Sequence, residues 1–387
     1  MLSFVTPAQA SPDAGFQVHY HPPKSSAADD SSPGRTRGHE LSLTLRPLPG
    51  ESIPELFGRL ADALQGATIL NLLVFGSVNA AAAAMEAMRR RLGKIDWPVM
   101  WVEGGACDSG PIAGVQVFGF DGGAVQRLRL DGRVVGSIFR DGAAQYCLLG
   151  GLGPNQNSSS RADQTKQTLD NLEKALAQCG FTLADTMRTW FYLGNILSWY
   201  AEFNRVRTRV YSGIKFRTGS LPASTGIGAR NPAGAALTVS ARAMQPLNSS
   251  VGATEIASPL QCPAPAYGSS FSRAMEVSSP AGRRLFISGT ASISPAGETL
   301  WRDDARKQVA QTMEVVEALL QSRGLLLSDL TRATAYFKHP ADVRAFTEWR
   351  AARGLSSLPV VQANCDICRD DLLFELEADA WRPTGMP

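Results

Sequence analysis

The most regular hydrophobic pattern in the chain lies near its C-terminus, between Leu372 and Trp381. Apolar and acidic residues alternate there, which predicts a β-strand with one packed face, because successive side chains of a strand point to opposite sides. The apolar set is Phe374, Leu376, Ala378 and Ala380, and the acidic set is Glu375, Glu377 and Asp379. A row of like charges is unfavourable. Either these acids point to water, or Glu375 faces a cleft and has an altered pKa.

Elsewhere, apolar residues recur at helical spacing or in short uninterrupted runs, which predicts alternating helices and strands. The predicted helices cover residues 53–64, 78–92, 163–179, 196–211, 304–323 and 340–353. The predicted strands cover residues 69–75, 112–120, 187–193, 235–243, 271–277, 284–288, 332–337 and 372–381. Residues 289–292 are predicted to form a turn of small residues. The glycines at 150, 151 and 153 lack the spacing of a nucleotide-binding loop.

The chain contains an internal repeat with an offset of 144 residues. Nine identities fall within a 26-residue window, from Gln167/Gln311 to Tyr192/Tyr336. Residues 50–120 share the order of elements without clear identities, so we predict three copies of one α+β module, the first of them degenerate. The predicted divisions are an irregular lead-in (1–40), a first module (41–125), a second module (126–250) and a third module (251–387). Three such modules suggest a covalent pseudo-trimer with ligand sites in the clefts between modules.

Composition excludes several classes of function. The 387 residues are 44% apolar and carry a net charge of +3, which gives no indication of a nucleic-acid surface. The sequence contains no run of about 18 apolar residues, so we expect no membrane span. Six cysteines favour a reduced, cytoplasmic chain over a disulfide scaffold. Cys365 and Cys368 have metal or redox spacing, but the four histidines do not complete a ligand set. We therefore expect no metal and no cofactor.

The third module resembles the YjgF/RidA family of chorismate-mutase-like α+β trimers, whose sites lie between subunits. The resemblance rests on residues 265–268, 285–290 and 373–378 and extends more weakly to residues 130–246. Imine-hydrolysing members of the family carry an arginine shortly after the proline that follows the second helix. Here Pro359 precedes Val-Val-Gln-Ala-Asn and Pro222 precedes Ala-Ser-Thr. The departure argues against imine deamination.

Over residues 130–381 the chain more closely resembles the chorismatases, a branch of the same superfamily with fused modules. The resembling stretches are residues 190–200, 203–207, 267–273, 288–293 and 368–375. The resemblance implies a secondary-metabolic enzyme that releases pyruvate from chorismate, a small-molecule substrate. Some members hydrolyse chorismate to a dihydroxycyclohexadiene carboxylate, and others aromatise it to hydroxybenzoate. We expect a monomer or weak homo-oligomer without nucleic-acid or membrane partners.

Protonating the enol methylene of chorismate requires a carboxylic acid that stays protonated near neutral pH, so its pKa must be raised by burial or a like charge. Glu375 fits this role, because Glu377 lies on the same face of an otherwise core-like strand. Glu377 is the alternative acid, although it could instead be a salt-bridged supporting group. For the substrate carboxylates the candidate cations are Arg205 and Arg273, since guanidinium groups bind carboxylates in bidentate fashion.

The remaining candidates concern substrate contact and product choice. Tyr267 could donate a hydrogen bond to the substrate or be a structural tyrosine, and Gly289 lies where backbone could approach a ligand closely. In the chorismatase resemblance, Cys368 stands where a cysteine accompanies the hydroxybenzoate-forming branch, whereas Ala291 matches the hydrolytic branch. We give Cys368 more weight, which favours 3-hydroxybenzoate with some 4-hydroxybenzoate. Hydrolysis, a RidA-like deaminase and a non-catalytic ligand-binding module remain the alternatives.

Overall fold

Three β-sheets with helices on their outer faces make up the fold in the computed structural model, which describes residues 15–21, 38–108 and 110–384. The first module holds β1 (Phe16–His21), β2 (His39–Leu45), α1 (Ile53–Leu64), β3 (Thr68–Gly76), α2 (Ala81–Leu92), β4 (Val99–Glu103), β5 (Gly105–Ala106) and β6 (Ile112–Asp121). Its sheet has the strand order β1-β2-β6-β3-β4. The mixed architecture agrees with the predicted α+β class.

The second and third modules repeat this arrangement. The second contains β7 (Gln126–Leu130), β8 (Arg133–Arg140), β9 (Ala144–Leu152), α3 (Arg161–Ala177), β10 (Thr186–Leu193), α4 (Tyr200–Tyr211), β11 (Ala223–Gly228) and β12 (Leu237–Pro246). The third contains β13 (Gly252–Ile256), β14 (Ala274–Ser279), β15 (Gly282–Ala291), α5 (Ala305–Gln321), β16 (Leu330–Phe337), α6 (Val343–Ala351), β17 (Val360–Asn364) and β18 (Phe374–Pro383). Their strand orders are β11-β10-β12-β9-β8-β7 and β13-β14-β15-β18-β16-β17-β5.

Local sequence explains where the repeated helices begin and end. Helix α3 begins after Ser160, whose hydroxyl accepts the Asp163 N–H, and α5 begins after Asp304, whose carboxylate accepts the Lys307 N–H. Such caps satisfy N–H groups that have no partner within the helix. Gly180 and Gly324, a matched pair of the repeat, have φ of +77° and +70° just beyond the two helices. Glycine adopts this left-handed conformation without a steric penalty, so both helices stop at equivalent positions.

Strand β18 lies at the middle of the third sheet, between β15 and β16. Its apolar residues pack with α5 and α6 in a core that includes Val316, Leu319 and Phe346. Its acidic residues point to the other side of the sheet and are also buried. The interpretation that these acids face water is therefore wrong, because this second face meets the other two modules.

A central core joins the three sheets on the faces that do not carry helices. Phe75, Tyr192 and Tyr336 are each the second-to-last residue of β3, β10 and β16, respectively. The ring centroid of Phe75 lies 6.4 Å from that of Tyr192 and 6.0 Å from that of Tyr336. Equivalent rings that meet at one point are what a pseudo-threefold axis would produce, and that axis stays a prediction.

One prediction for the ends of the modules needs correction, and one strand pairing was not predicted. Residues 16–21 form a regular strand that pairs with β2, so this part of the lead-in is not irregular, and residues 1–14 and 22–37 lie outside the described residues. Strand β5 of the first module pairs with β17 of the third, which no local pattern indicated. Among the described residues, no helix has the length and apolar character needed to cross a membrane.

Candidate active site between the second and third modules

A cavity of about 730 Å³ lies between the second and third modules. The second module contributes helix α4 and strand β11, and the third contributes β15, β18 and the segments that precede β14 and β18. The cavity is lined by all seven candidate residues, namely Arg205, Tyr267, Arg273, Gly289, Ala291, Cys368 and Glu375. Residues up to 170 positions apart in the chain are thus brought to one site. Their roles there remain predictions.

Glu375 presents its carboxyl to this cavity from the middle of the third sheet. It lies opposite Ala291 of β15 and Tyr336 of β16, and its side chain is only 4% exposed. Burial raises the pKa of Glu375 to about 8, with a further contribution from the Glu377 charge, while Arg188 and Arg273 oppose the rise. A carboxyl with this pKa is largely protonated at neutral pH and can donate a proton.

Glu377 has a different environment two residues along the same strand. Burial by itself would raise its pKa, but Arg332 and Arg188 lower it below the usual range, helped by hydrogen bonds from Thr225 and Arg332. One carboxylate oxygen accepts from Arg188 Nη2 at 2.5 Å, and the other accepts from Arg332 Nη1 at 3.1 Å. When the surroundings of two carboxyls push their pKa values apart, the one with the raised pKa can act as the acid and the other as the supporting anion. The geometry favours Glu375 as the proton donor.

Gly289 lets the Glu375 carboxyl lie against the backbone of β15. A Cβ at this position would overlap the Glu375 Oε1 atom and lie 3.0 Å from its Cδ. The register between β15 and β18 shifts between Ile287 and Thr290, so Gly289 lies in an irregularity of the ladder. The predicted turn at 289–292 is therefore wrong, since residues up to Ala291 continue the strand through this irregularity. Such irregularities re-aim side chains next to functional sites.

The cavity is rich in cations. Its described lining includes five arginines, and Glu375 is the single carboxyl among the lining residues. Arg273 is buried, and its Nε and Nη2 groups donate to the Cys262 carbonyl at 3.0 and 2.9 Å. Arg205, in contrast, is exposed at the side of α4. The lining arginines are Arg205, Arg207, Arg209, Arg273 and Arg369.

Sequence reasoning missed the buried arginine of α4. Arg207 is 1% exposed, donates to Asn204 Oδ1 at 2.7 Å and has an Nε group without a hydrogen-bond partner. Tyr200, Asn204 and Arg207 follow the i, i+4, i+7 spacing of one helix face, and all three line the cavity. That spacing would have identified Arg207 rather than Arg205 as the residue aligned with Tyr200.

Two polar rings and a thiol complete the site. Burial raises the pKa of Tyr200 to about 12 and also raises that of Tyr267, so both hydroxyls stay protonated. The guanidinium carbons of Arg273 and Arg369 lie 5.4 and 5.3 Å from the Tyr267 ring centroid. Burial, together with the Glu375 charge, raises the pKa of Cys368 to about 12, which keeps its sulfur as a thiol. The described residues contain no cluster of side chains suited to a metal ion.

The raised pKa of Glu375 has a consequence for stability. An unfolded glutamic acid has a pKa of about 4.3, so the stability that the bound proton confers is complete below that pH and is lost as pH rises through about 8. The glutamine variant of Glu375 lacks this dependence. We expect the melting temperature of the variant, measured by thermal denaturation, to rise relative to that of the wild type when the pH is raised from 5 to 8.5. If the difference in melting temperature between the variant and the wild type were the same at both pH values, the raised pKa of Glu375 would be contradicted.

Comparisons with known proteins agree with this fold. The family model described as Endoribonuclease L-PSP matches residues 263–380. A 3-hydroxybenzoate synthase of Streptomyces hygroscopicus is 28% identical over 224 residues, which cover 51% of this chain and 64% of the relative. A RutC family protein of Pyrococcus horikoshii is 31% identical over 103 residues, which cover 26% of this chain and 82% of the relative.

A solved structure extends the comparison to most of the chain. A crystal structure of a chorismatase superposes with a TM-score of 0.64 and 21% identity, covering 88% of this chain and 98% of that one. At this identity the likeness shows the fold. The chain belongs to the RutC family, since the Pyrococcus horikoshii member is 31% identical and is covered over 82% of its length. Its relation to the 3-hydroxybenzoate synthase and the chorismatase is a similarity at 28% and 21% identity.

Proposed function

We propose that this protein cleaves the enolpyruvyl ether of chorismate to release pyruvate and 3-hydroxybenzoate. The observation that carries the proposal is the buried Glu375 carboxyl, whose pKa is raised and which faces a cavity lined by five arginines. A neutral acid among cations suits a substrate that is anionic and must be protonated on carbon. The name of the 3-hydroxybenzoate synthase relative supports the same reaction.

The cavity can bind both carboxylates of chorismate. Arg273 uses two of its five N–H donors on the Cys262 carbonyl and keeps the others for a ligand. Arg207 also lines the cavity, and its Nη2 group donates to Asn204 Oδ1 at 2.7 Å, which fixes the guanidinium on the side of α4 that faces the cavity. We assign one substrate carboxylate to each of these two buried guanidinium groups, since charge-assisted pairs are strongest where water is excluded.

The first chemical step is proton transfer from Glu375 to the enol methylene carbon. The electron pair of the enol double bond forms the new C–H bond, which leaves an oxocarbenium ion on the substrate and a carboxylate on Glu375. The nearby arginines stabilise that new carboxylate as it forms. The two products, pyruvate and hydroxybenzoate, together contain all the atoms of chorismate. The hydrolytic alternative instead consumes one water and forms the dihydroxycyclohexadiene acid.

Cys368 is proposed to influence which of the two routes follows. Water and the ring hydroxyl compete for the intermediate, and a displacement of about 1 Å can change a rate by ~10²-fold. A thiol is weakly polar and orients water poorly, so it favours the internal route to 3-hydroxybenzoate. Ala291, which lies opposite Glu375, matches the hydrolytic branch of the chorismatases, so hydrolysis remains the alternative route.

We expect Cys368→Ser and Cys368→Ala to change the product ratio more than the rate of chorismate consumption. Chromatography of the products measures both quantities, and Cys179→Ser, outside the cavity, is the matched control. If the wild type forms only the diene acid, or if the mixture is the same in the Cys368 variants, then Cys368 has no part in product choice.

The proposal as a whole is tested by incubating the protein with chorismate and measuring pyruvate. Release of pyruvate with an aromatic product supports it. Pyruvate with the diene acid would move the assignment to hydrolysis. Chorismate binding without turnover would indicate a ligand-binding module, and ammonia release from an imine substrate would indicate the RidA-like activity that the missing arginine argues against.

A further inference from the structure

Behind Glu375, the carboxylate of Glu377 collects partners from more than one module. Arg332, Thr334 and Tyr336 of the third module donate to its Oε1 atom at 3.1, 3.2 and 3.2 Å. The second module supplies the partners of Oε2, which accepts from Arg188 Nη2 and from the Thr225 hydroxyl. The first module joins through Gln116, whose side-chain oxygen accepts from Arg332 at 2.8 Å. The anion is therefore held by an assembly of modules rather than by its own sheet alone.

The Thr225 hydroxyl connects this anion to the backbone next to Glu375. It donates to Glu377 Oε2 at 2.7 Å and accepts from Arg188 Nη2 at 2.7 Å. It also accepts from the Gly289 N–H at 3.1 Å. One donor and two acceptor positions are all that a hydroxyl offers, so every one of them is used. The same group thus fixes both Glu377 and the glycine that the Glu375 carboxyl contacts.

Arg188 pairs with an acid of another module, because the residue opposite it in its own sheet is a cation. Arg242 of β12 lies opposite Arg188 in the ladder and pairs with Glu40 of the first module at 2.8 and 2.5 Å. Glu377 of the third module takes the carboxylate role for Arg188, and both side chains are fully buried. A buried ion pair is costly to break, since one partner removed leaves the other uncompensated.

The pair of carboxyls occurs in one of the three sheets only. By ladder position, Glu375 and Glu377 lie opposite Tyr336 and Thr334, while the matching pairs are Thr238 and Ser240 in the second sheet and Gly114 and Gln116 in the first. In the first module, the position equivalent to that of the Glu375 side chain is occupied by Val361 of β17, since a Cβ at Gly114 would collide with it. The anion and its partners thus distinguish the cleft that carries Glu375.

We propose that Arg188 and Thr225 of the second module are positioning residues, which hold the Glu377 carboxylate and the Gly289 backbone so that the Glu375 carboxyl stays aimed into the cavity. This inference rests on the proposed function for its kinetic consequence, but its structural part does not depend on the substrate. Neither residue lines the cavity, so both act through other groups. Among the described residues, the charged or titratable groups around Glu375 are Glu377 on its own strand, Tyr336 opposite it, Arg188, Cys365, and the cavity residues Tyr200, Arg205, Arg207, Arg209, Tyr267, Arg273, Cys368 and Arg369.

The test compares Thr225→Val, which keeps the shape of the side chain but removes the hydroxyl, with Thr225→Ser, which keeps the hydroxyl. Without the hydroxyl, the Glu377 carboxylate keeps its charge but is held less firmly near Glu375, so its contribution to raising the pKa of Glu375 falls. We expect the valine variant to lower the titration midpoint of Glu375 by at least ~0.5 pH unit. Carboxyl ¹³C NMR measures this midpoint, with the Glu375 signal assigned from Glu375→Gln. The serine variant is expected to titrate like the wild type.

Turnover provides the second readout. We expect kcat for pyruvate release to fall at least ~10-fold in Thr225→Val with KM within twofold, and the basic limb of the pH profile to move to lower pH. If the valine variant does not fold, Thr225→Ala removes the same hydroxyl without added bulk. Unchanged titration in the variants that lack the hydroxyl, or an equal shift in Thr225→Ser, overturns the inference. A wild type that releases no pyruvate overturns the proposed function instead, and the titration then decides this inference alone.

Discussion

Replacing Glu375 with glutamine is expected to reduce pyruvate release from chorismate by at least ~10²-fold, the scale usual for loss of a general acid. The amide keeps the size of the side chain but has no proton to give to the enol methylene carbon. Arg207 and Arg273 remain in place, so substrate affinity should be largely retained. Single-turnover assays with enzyme in excess over chorismate, together with a binding isotherm, separate the two effects.

The matched control is Glu276→Gln, which changes a buried carboxyl of the same module outside the cavity. Glu276 pairs with Arg323 at 2.8 and 2.9 Å and does not line the site. We expect its turnover to match the wild type. An active Glu375→Gln together with an inactive Glu377→Gln would show that the acid was assigned to the wrong carboxyl.

Glu375 could be named as a candidate from the sequence because a local pattern of alternating residues indicates its environment. Three acids that alternate with core residues left two interpretations open, and the burial of both faces of the strand excludes the one in which the acids face water. The repeat offset also identified the matching helices, whose stops at Gly180 and Gly324 the structure confirms. Patterns of this kind depend only on neighbours in the chain, and a single sequence displays them fully.

The partners of Glu377 could not be predicted in the same way. Arg188 is 189 residues from Glu377 in the chain, and only the docking of the second module on the third brings the two side chains together. The choice between Arg205 and Arg207 likewise depends on which face of α4 meets the cavity, and that is a property of module packing. The register irregularity at Gly289 depends on pairing with β18, so small residues alone suggested a turn.

Replacing Gly289 with alanine is expected to lower turnover by about 10²-fold while the protein stays folded. The added methyl group would overlap the Glu375 carboxyl, and the side chain of Glu375 must move by about 1 Å or more to relieve the contact. Displacements of this size in a reacting group cost rates on that scale. Steady-state kinetics of pyruvate release should show the loss mainly in kcat, because the arginines that bind the substrate are not touched.

The control for this change is Gly252→Ala on strand β13, where the nearest neighbour of a Cβ, Ser278 Oγ, is 4.0 Å away. Like Gly289, this glycine lies outside the left-handed region, so neither substitution strains the backbone. Any general effect of adding a methyl group to a strand of the third module should appear equally in both variants. Full activity in Gly289→Ala would mean that the Glu375 carboxyl does not need to lie against the β15 backbone, and the placement of the proton donor argued above would be wrong.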